Sequence, residues 1–341
     1  MRLQSEILRT PDDPRISIDN REILPYRGRV GVFFGGSGGT GNMAAVEYQK
    51  LGGRVVMGAS SERTRNRGLA NVRNLGGDRT TVVSLVGDLT DNELLSQNVV
   101  SLVDSLDAEG TPVTDVFTFQ ASGMPFAIEL DEQFLVPMNE IVISDGPDKD
   151  EQFRAKKEEL RKRYAVWLPE SRPQAHAVNY ESKVNIINAF RAAYKGGRQL
   201  TFIDFNSIFG KEGVGPAFYD NVLTKHEFSL WLGENATELV QDGIEAAEIT
   251  APVVEDTDVG RVFLNKVNPL LVPELQVLIV RTKVKRVDVF QAMKEFIDMA
   301  PGERVREGRP YHRYVIGDNG TVLIVSTIPE ELHIDPNKFD I

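Results

Sequence analysis

Short apolar runs alternate with amphipathic stretches along most of this chain, starting at Arg29. The runs predicted to be strands are 29–34, 54–59, 80–87, 113–120, 198–207, 244–252 and 321–328, with a further candidate at 275–283. Helices are predicted at 42–52, 69–77, 92–106, 179–197, 216–243 and 287–300. This alternation indicates βαβ units, in which helices cover both faces of a parallel sheet. We therefore expect an α/β fold with a doubly wound parallel sheet in one domain.

Two segments interrupt the alternation. Residues 124–178 include the charged stretch DGPDKDEQFRAKKEELRKRY, and we interpret them as an insertion after the fourth strand with a solvated surface helix. Residues 253–274 form a Pro-containing loop that we expect at the carboxyl edge of the sheet, where ligands bind in open α/β folds. The predicted divisions of the chain are an N-terminal arm at 1–28, the domain at 29–328 and a C-terminal tail at 329–341.

Composition excludes several classes of function. The net charge of −11 argues against a nucleic-acid partner, because affinity for phosphate backbones comes largely from Lys and Arg. The chain has no cysteine, which excludes disulfides, thiolate metal sites and cysteine nucleophiles, and its four histidines are scattered, so no metal site is predicted. No apolar run approaches ~18 residues, so no membrane span is expected. The N-terminal stretch MRLQSEILRTPDDPR lacks an apolar signal-peptide core, and we expect a cytoplasmic protein.

A glycine-rich turn, GGSGGTG, lies between the first predicted strand and the first predicted helix. Glycine permits positive φ in a tight turn and lets a diphosphate approach the main chain, while the following helix N-terminus favours an anion. Glycine-rich turns also occur without a ligand, but this position at the start of an alternating fold indicates a dinucleotide site. The turn residues predicted to bind the cofactor are Gly35, Ser37, Gly38, Gly39, Thr40 and Gly41.

The end of the second predicted strand indicates which dinucleotide is bound. An acidic residue at this position accepts hydrogen bonds from the ribose 2′-OH of NAD(H). Here the chain reads MGASSERTRNR, with no acid before Glu62. Hydroxyls at Ser60 and Ser61 and the cation at Arg63 suit a 2′-phosphate instead, so NADP(H) is favoured over NAD(H). The alternative is that these arginines form only a solvated helix face.

In the order and spacing of its motifs the chain resembles an atypical short-chain dehydrogenase/reductase. GGSGGTG is similar to the glycine motif of that family, especially in polyketide-synthase ketoreductase domains, although Phe34 replaces the usual threonine. GDLTD, QASG, VNYESKVNIINAF and FIDFNSIFG resemble later family motifs in the same order, so the resemblance spans about residues 29–328. It implies a Rossmann-type sheet, and adds as cofactor-binding residues Asp88, Leu89, Ala121, Ser122 and Gly123.

The same resemblance implies an active site formed by Asn179, Ser207 and Tyr219. The family pattern Tyr-x-x-x-Lys would require a lysine at position 223, where this chain has leucine. Two replacements stay open. Lys225 lies two residues further on, and Lys183 lies on the preceding predicted helix, as in polyketide ketoreductases.

These residue types suit reduction of a carbonyl. Tyrosine has an ordinary pKa of about 10, which a nearby ammonium lowers, so that it can act as a general acid. A serine hydroxyl would stabilise the developing oxyanion. We therefore expect an NADPH-dependent reductase of a ketone or β-ketoacyl thioester, acting on a small-molecule or acyl-thioester substrate.

Two alternatives remain from sequence alone. The lengthened Tyr–Lys gap is also found in enoyl-thioester reductases, and the missing lysine at 223 would suit a non-catalytic NADP(H) sensor or scaffold. The resemblance further implies a homodimer or homotetramer.

Overall fold

The computed structural model describes residues 24–119, 173–194, 198–207, 219–251, 253–262, 283–299, 311–316 and 322–325, with isolated positions at 148, 151, 152, 155, 162, 264 and 265. Its strands are β1 (Val30–Phe34), β2 (Arg54–Ala59), β3 (Val83–Val86), β4 (Asp115–Thr118), β5 (Leu200–Ser207), β6 (Ile244–Ala251), β7 (Tyr311–Ile316) and β8 (Val322–Val325). Its α-helices are α1 (Gly39–Lys50), α2 (Glu62–Asn74), α3 (Asn92–Ala108), α4 (Ser182–Ala193), α5 (Tyr219–Gln241), α6 (Asp258–Val262) and α7 (Arg286–Asp298). Most of the predicted insertion at 124–178 and all but the last residue of the strand candidate at 275–283 lie outside the described residues.

All eight strands form one sheet in the order β3-β2-β1-β4-β5-β6-β7-β8. Every neighbouring pair from β3 to β7 is parallel. The order reverses between β1 and β4, because the chain first builds outward through β2 and β3 and then crosses to the other side. The predicted doubly wound, Rossmann-type fold is therefore confirmed.

Helices cover both faces of this sheet, as the alternation predicted. On one face α3, α4 and α5 pack over Val32, Phe34 and Phe202. On the other, α1 and α7 pack over Phe33 and Ile203. Within the described ranges, no helix combines the length and apolar character needed to cross a membrane.

Two features of the far edge were not predicted. Strand β7 was missed because its sequence YHRYVI follows a polar stretch and lacks a long apolar run. Strand β8 was predicted, but it pairs antiparallel to β7 rather than continuing the parallel sheet. The connection from Ile316 to Val322 is too short for a crossover, which needs a dozen or more residues, so the pair must be antiparallel.

The start of the sheet is held by a buried carboxylate at Asp115. Its Oδ2 atom accepts hydrogen bonds from Tyr48 Oη at 2.6 Å, Thr114 Oγ1 at 2.7 Å and Arg29 Nε at 2.9 Å. Tyr26, just before β1, is also buried and contacts the Tyr48 ring at 5.0 Å between centroids. The division of the chain at residue 28 stays a prediction, although the preceding turn already packs into the core.

Replacing Tyr48 with phenylalanine should lower the free energy of unfolding by about 2 kcal/mol, because it removes a hydrogen bond to a buried charge. Urea unfolding measures the change. Tyr26→Phe is the matched control, since the Tyr26 hydroxyl donates to the partly exposed Asp298 at 3.0 Å. Its expected loss is below about 1 kcal/mol. Equal losses in the two variants would contradict the importance given to Asp115.

Candidate active site and dinucleotide cleft

The glycine turn joins β1 to α1 through a tight reversal of the backbone. Gly35 has φ +73°, a left-handed backbone conformation that residues other than glycine rarely adopt. The Gly38 N–H donates to the Gly35 carbonyl at 3.0 Å, which closes the turn. A Cβ on Gly41 would lie 2.9 Å from both the Gly35 carbonyl oxygen and the Gly36 Cα, so helix and turn approach as closely as backbone allows. The backbone therefore requires glycine at both ends of the predicted turn, at Gly35 for its positive φ and at Gly41 for the close approach.

The first turn of α1 has no side-chain cap. Its N-cap residue is Gly38, and no acidic residue stands in its first turn. By contrast, Ser61 caps α2 and Asp91 caps α3 through their side-chain oxygens. The first N–H groups of a helix need an acceptor from outside the helix. An oxyanion suits this position, since the partial positive charge of the helix N-terminus adds to the N–H groups.

The turn lies where the strand order reverses. The Phe119 N–H, just after β4, donates to the Phe34 carbonyl at the end of β1 at 2.8 Å. β1 and β4 therefore stay paired up to their carboxyl ends. In doubly wound sheets the crevice that binds a dinucleotide lies just outside these ends, at the point where the strand order reverses. Asn42 of α1 is buried and supports the turn itself, since its Nδ2 donates to the Ser37 carbonyl at 3.0 Å. The bare backbone, the uncapped helix and the crevice together fit a dinucleotide diphosphate.

A Gly41→Ala variant tests this fit. The added Cβ must displace the backbone of the turn, and it would also press on the Phe119 ring, whose nearest atom would be 3.2 Å away. We expect the affinity for NADPH to fall about tenfold, which corresponds to about 1.4 kcal/mol of distortion. Calorimetric titration measures it, with urea unfolding run in parallel. Unchanged affinity in a folded variant would show that the turn does not contact the ligand.

The end of β2 contains the residues predicted to select NADP(H). Ser61 Oγ accepts the Thr64 N–H at 3.3 Å as the cap of α2, which begins at Glu62, earlier than the predicted start at residue 69. Ser60 is exposed, and its Oγ lies 3.4 Å from Thr64 Oγ1. Arg63 is exposed and forms no ion pair with any described residue, whereas Glu62 is paired with Arg65 at 2.5 Å. A hydroxyl, a helix N-terminus and a cation are thus present together, and the acid beside them is neutralised.

The segment after β3 also lies at this carboxyl edge. Asp88 is exposed, and its Oδ1 accepts the Thr90 N–H at 2.9 Å, which fixes the turn that contains Leu89. The predicted cofactor residues Ala121, Ser122 and Gly123 lie outside the described residues.

Asn179 lies in an irregular turn that leads into α4. Residues Ala177–Glu181 form a π-helical turn rather than the start of the predicted regular helix, and such turns are frequent at functional sites. The Asn179 side chain is fully buried and donates from Nδ2 to Thr224 Oγ1 at 2.9 Å. It therefore contacts α5 beside Lys225.

Ser207 lies at the predicted end of its strand, whereas Tyr219 begins its helix three residues after the predicted start at 216. Ser207 is the last residue of β5, paired in register with Ala251, and Tyr219 is the first residue of α5. Both backbone positions therefore lie at the carboxyl edge of the parallel strands.

The structure distinguishes the two candidate lysines. Lys183 is fully buried and forms an ion pair with Asp204 of β5, with Nζ and Oδ1 2.6 Å apart. Its Nζ also lies 4.9 Å from the centroid of the Phe228 ring. The charge of Lys183 is therefore already matched by a carboxylate inside the protein.

Lys225 is 7% exposed and forms no ion pair with any described residue. Its Nζ lies 5.9 Å from the centroid of the Phe205 ring, and Phe205 in turn contacts Phe119 at 5.8 Å between centroids. Phe119 borders the glycine turn, so two aromatic rings connect Lys225 to the crevice. Burial, together with repulsion from Lys183, lowers the pKa of Lys225 to about 8, against weaker attraction from Asp204 and Glu248.

Sequence reasoning did not select the buried carboxylates that interact with these lysines. Asp204 and Glu248 are fully buried and stand opposite each other in the register of β5 and β6. Thr118, opposite Asp204 on β4, donates to its Oδ1 at 2.5 Å. Burial raises the pKa of Asp204, and the Lys183 ammonium opposes that rise. The available signal was the presence of acids inside apolar runs, one in TFIDF and two in IEAAEI, because carboxylates are rarely buried without a partner.

Comparison with solved structures supports the same fold. A 7α-hydroxysteroid dehydrogenase complexed with NADH and 7-oxo glycochenodeoxycholic acid has a TM-score of 0.57 at 16% identity, over 91% of this chain and 100% of that one. The actinorhodin polyketide ketoreductase with NADPH has a TM-score of 0.56 at 16% identity, over 85% and 96%. A short-chain dehydrogenase from Bacillus anthracis has a TM-score of 0.57 at 12% identity, over 86% and 96%.

At this level of identity the likeness establishes the fold. The chain has the fold of the short-chain dehydrogenases/reductases, as its motifs indicated. No protein-family profile matches the sequence, and no curated protein matches it either.

Proposed function

We propose that this protein is an NAD(P)-dependent oxidoreductase that reduces a ketone or β-ketoacyl thioester. The observation that supports this most strongly is the uncapped glycine turn at the point where the strand order reverses. The residues that would hold the dinucleotide are those of the turn from Gly35 to Gly41. When bound, NADPH supplies the hydride.

The chain's own residues supply the proton chemistry in this proposal. Tyr219 donates a proton to the substrate oxygen, and Ser207 donates a hydrogen bond to the same oxygen as charge develops on it. Lys225 is the ammonium that lowers the pKa of the tyrosine. Asp204, which is paired with Lys183, attracts the Lys225 ammonium, and Asn179 positions α5 through Thr224.

NADP(H) is the preferred cofactor in this proposal. Arg63 is exposed and unmatched by any described acid, and Glu62 is occupied by Arg65. A 2′-phosphate would therefore meet a cation and the N-terminus of α2 without an opposing charge. Among the solved structures with this fold, one is described as bound to NADH and others to NADPH or NADP.

The first experiment is a fluorescence titration with NADPH and NADH, followed by turnover assays on a ketone panel and an enoyl-thioester panel. We expect NADPH to bind more tightly than NADH and ketones to be reduced. Turnover of enoyl thioesters alone would favour the enoyl reductase, and binding without turnover on either panel would favour a sensor. No association with either nucleotide at millimolar concentration would refute the proposal.

A further inference from the structure

The N-terminus of α7 reaches back to the glycine turn through one arginine. Arg286 Nη1 donates to the carbonyl of Gly39, the first residue of α1, at 3.3 Å. The two residues are 247 positions apart in the chain. The loop after β6 also packs against this turn, since the Thr257 methyl carbon would lie 3.3 Å from a Cβ placed on Gly39. A cation is therefore held beside the uncapped first turn of α1.

Asp256 fixes the direction of this side chain. Its Oδ1 accepts the Arg286 backbone N–H at 2.9 Å, and its Oδ2 accepts Arg286 Nε at 3.0 Å. The guanidinium is thus gripped at its inner nitrogen, while Nη1 points to Gly39. Arg286 Nη2 donates to no residue in the described part of the chain, and the side chain is 20% exposed. The group is positioned before any ligand arrives and retains donors for it.

We propose that the Arg286 guanidinium binds the diphosphate of the dinucleotide at the glycine turn, an inference that rests on the proposed function. A diphosphate carries negative charge on adjacent oxygens, which the guanidinium can bind through its Nη2 donors and the second hydrogen of Nη1. The backbone N–H groups of α1 bind it from one side, and Arg286 closes the other. Asp256 is the positioning residue that holds the fork in place.

The experiment compares Arg286→Ala with the wild-type protein in calorimetric titrations with NADPH and with adenosine 2′-monophosphate, which lacks the diphosphate. We expect the affinity for NADPH to fall about 10- to 100-fold, because a charge-assisted contact is lost. The affinity for adenosine 2′-monophosphate should stay within about twofold of wild type. Arg286→Lys should bind NADPH with intermediate affinity, because an ammonium replaces the charge but not the fork.

Arg261→Ala is the matched control. Arg261 lies on α6 close to the same loop, is paired only with Asp258 among the described residues and is largely exposed. Its removal should leave the NADPH affinity within about twofold of wild type. Urea unfolding of all three variants checks that the turn remains folded.

Two results would overturn the inference: an unchanged NADPH affinity in Arg286→Ala, or equal losses for NADPH and adenosine 2′-monophosphate, which would indicate a purely structural contact with Gly39. Inorganic pyrophosphate separates this inference from the proposed function. If wild type binds pyrophosphate through Arg286 but neither NADPH nor NADH, the reductase proposal fails and the anion site remains. If it binds none of the three, both fail.

Discussion

Replacing Lys225 with methionine is expected to reduce turnover of the best substrate on the panel by about 100-fold while making the protein more stable. In the proposed mechanism Lys225 is the ammonium that favours ionisation of Tyr219, so its loss should lower turnover. Stability rises because wild type must bury a charge that its surroundings disfavour. The shift of the Lys225 pKa from 10.5 to about 8 corresponds to about 3 kcal/mol.

The stability difference between wild type and Lys225→Met should depend on pH over a defined range. A lysine with a lowered pKa binds its proton less tightly in the folded state, so wild-type stability should rise between about pH 8 and 10.5. Lys225→Met lacks this rise, and its advantage should therefore shrink across the same range. Turnover by wild type should fall as the pH rises through about 8, when the ammonium loses its proton. Urea unfolding at several pH values and a pH–rate profile measure both effects.

Lys294→Met is the control for this prediction. Lys294 lies on α7, partly exposed and paired with Asp298 at i,i+4. Its removal should change the free energy of unfolding by less than about 0.5 kcal/mol and leave turnover unchanged. A Lys225→Met variant that retains wild-type turnover would assign the ammonium role elsewhere.

Replacing Lys183 with methionine should have the opposite effect on stability. It leaves the carboxylate of Asp204 fully buried with Thr118 as its remaining hydrogen-bond donor among the described residues. Removing one partner of a buried ion pair costs about 3–5 kcal/mol. We expect urea unfolding to show a loss of this size, and turnover per folded molecule to fall less than in Lys225→Met.

The double variant Lys183→Met/Asp204→Asn tests whether the stability lost in Lys183→Met comes from the unpaired charge on Asp204. An asparagine can still accept the Thr118 hydroxyl through Oδ1 but leaves no buried charge. We expect it to recover about half or more of the stability lost in Lys183→Met, since a buried pair is often replaceable by uncharged groups. If Lys183→Met unfolds at the same urea midpoint as wild type, the Lys183–Asp204 ion pair contributes nothing to stability.

The parts of the fold that follow from local pattern were predictable. Strand β2 begins and ends where the apolar run RVVMGA does, and the glycine turn lies between strand and helix as expected. Strand β7 was not predicted, because Tyr311 and His312 become strand residues through pairing with β6 rather than through their own apolar pattern. Helix α2 begins earlier than predicted because the Ser61–Thr64 capping box outweighs a polar, arginine-rich first turn.

In the candidate site, too, residues in local motifs could be predicted, and contacts between distant parts of the chain could not. The glycine turn, Asn179 and Lys183 were predicted as site residues because each lies in a recognisable local motif, whereas Lys225 was a candidate only as the nearest lysine after position 223. The pairing of Lys183 with Asp204 and the contact of Arg286 with Gly39 join distant parts of the chain. Sequence pattern alone left the two lysines equivalent, and only the position of the Asp204 carboxylate distinguishes them.

The missing cap on α1 has a practical consequence for every titration suggested above. Sulfate and phosphate are oxyanions of the kind that bind to bare helix N-termini, so they should occupy the turn themselves. Nucleotide affinities measured in phosphate buffer or after ammonium sulfate precipitation would then reflect competition with the buffer. Dialysis into a chloride buffer before each titration would remove that competitor.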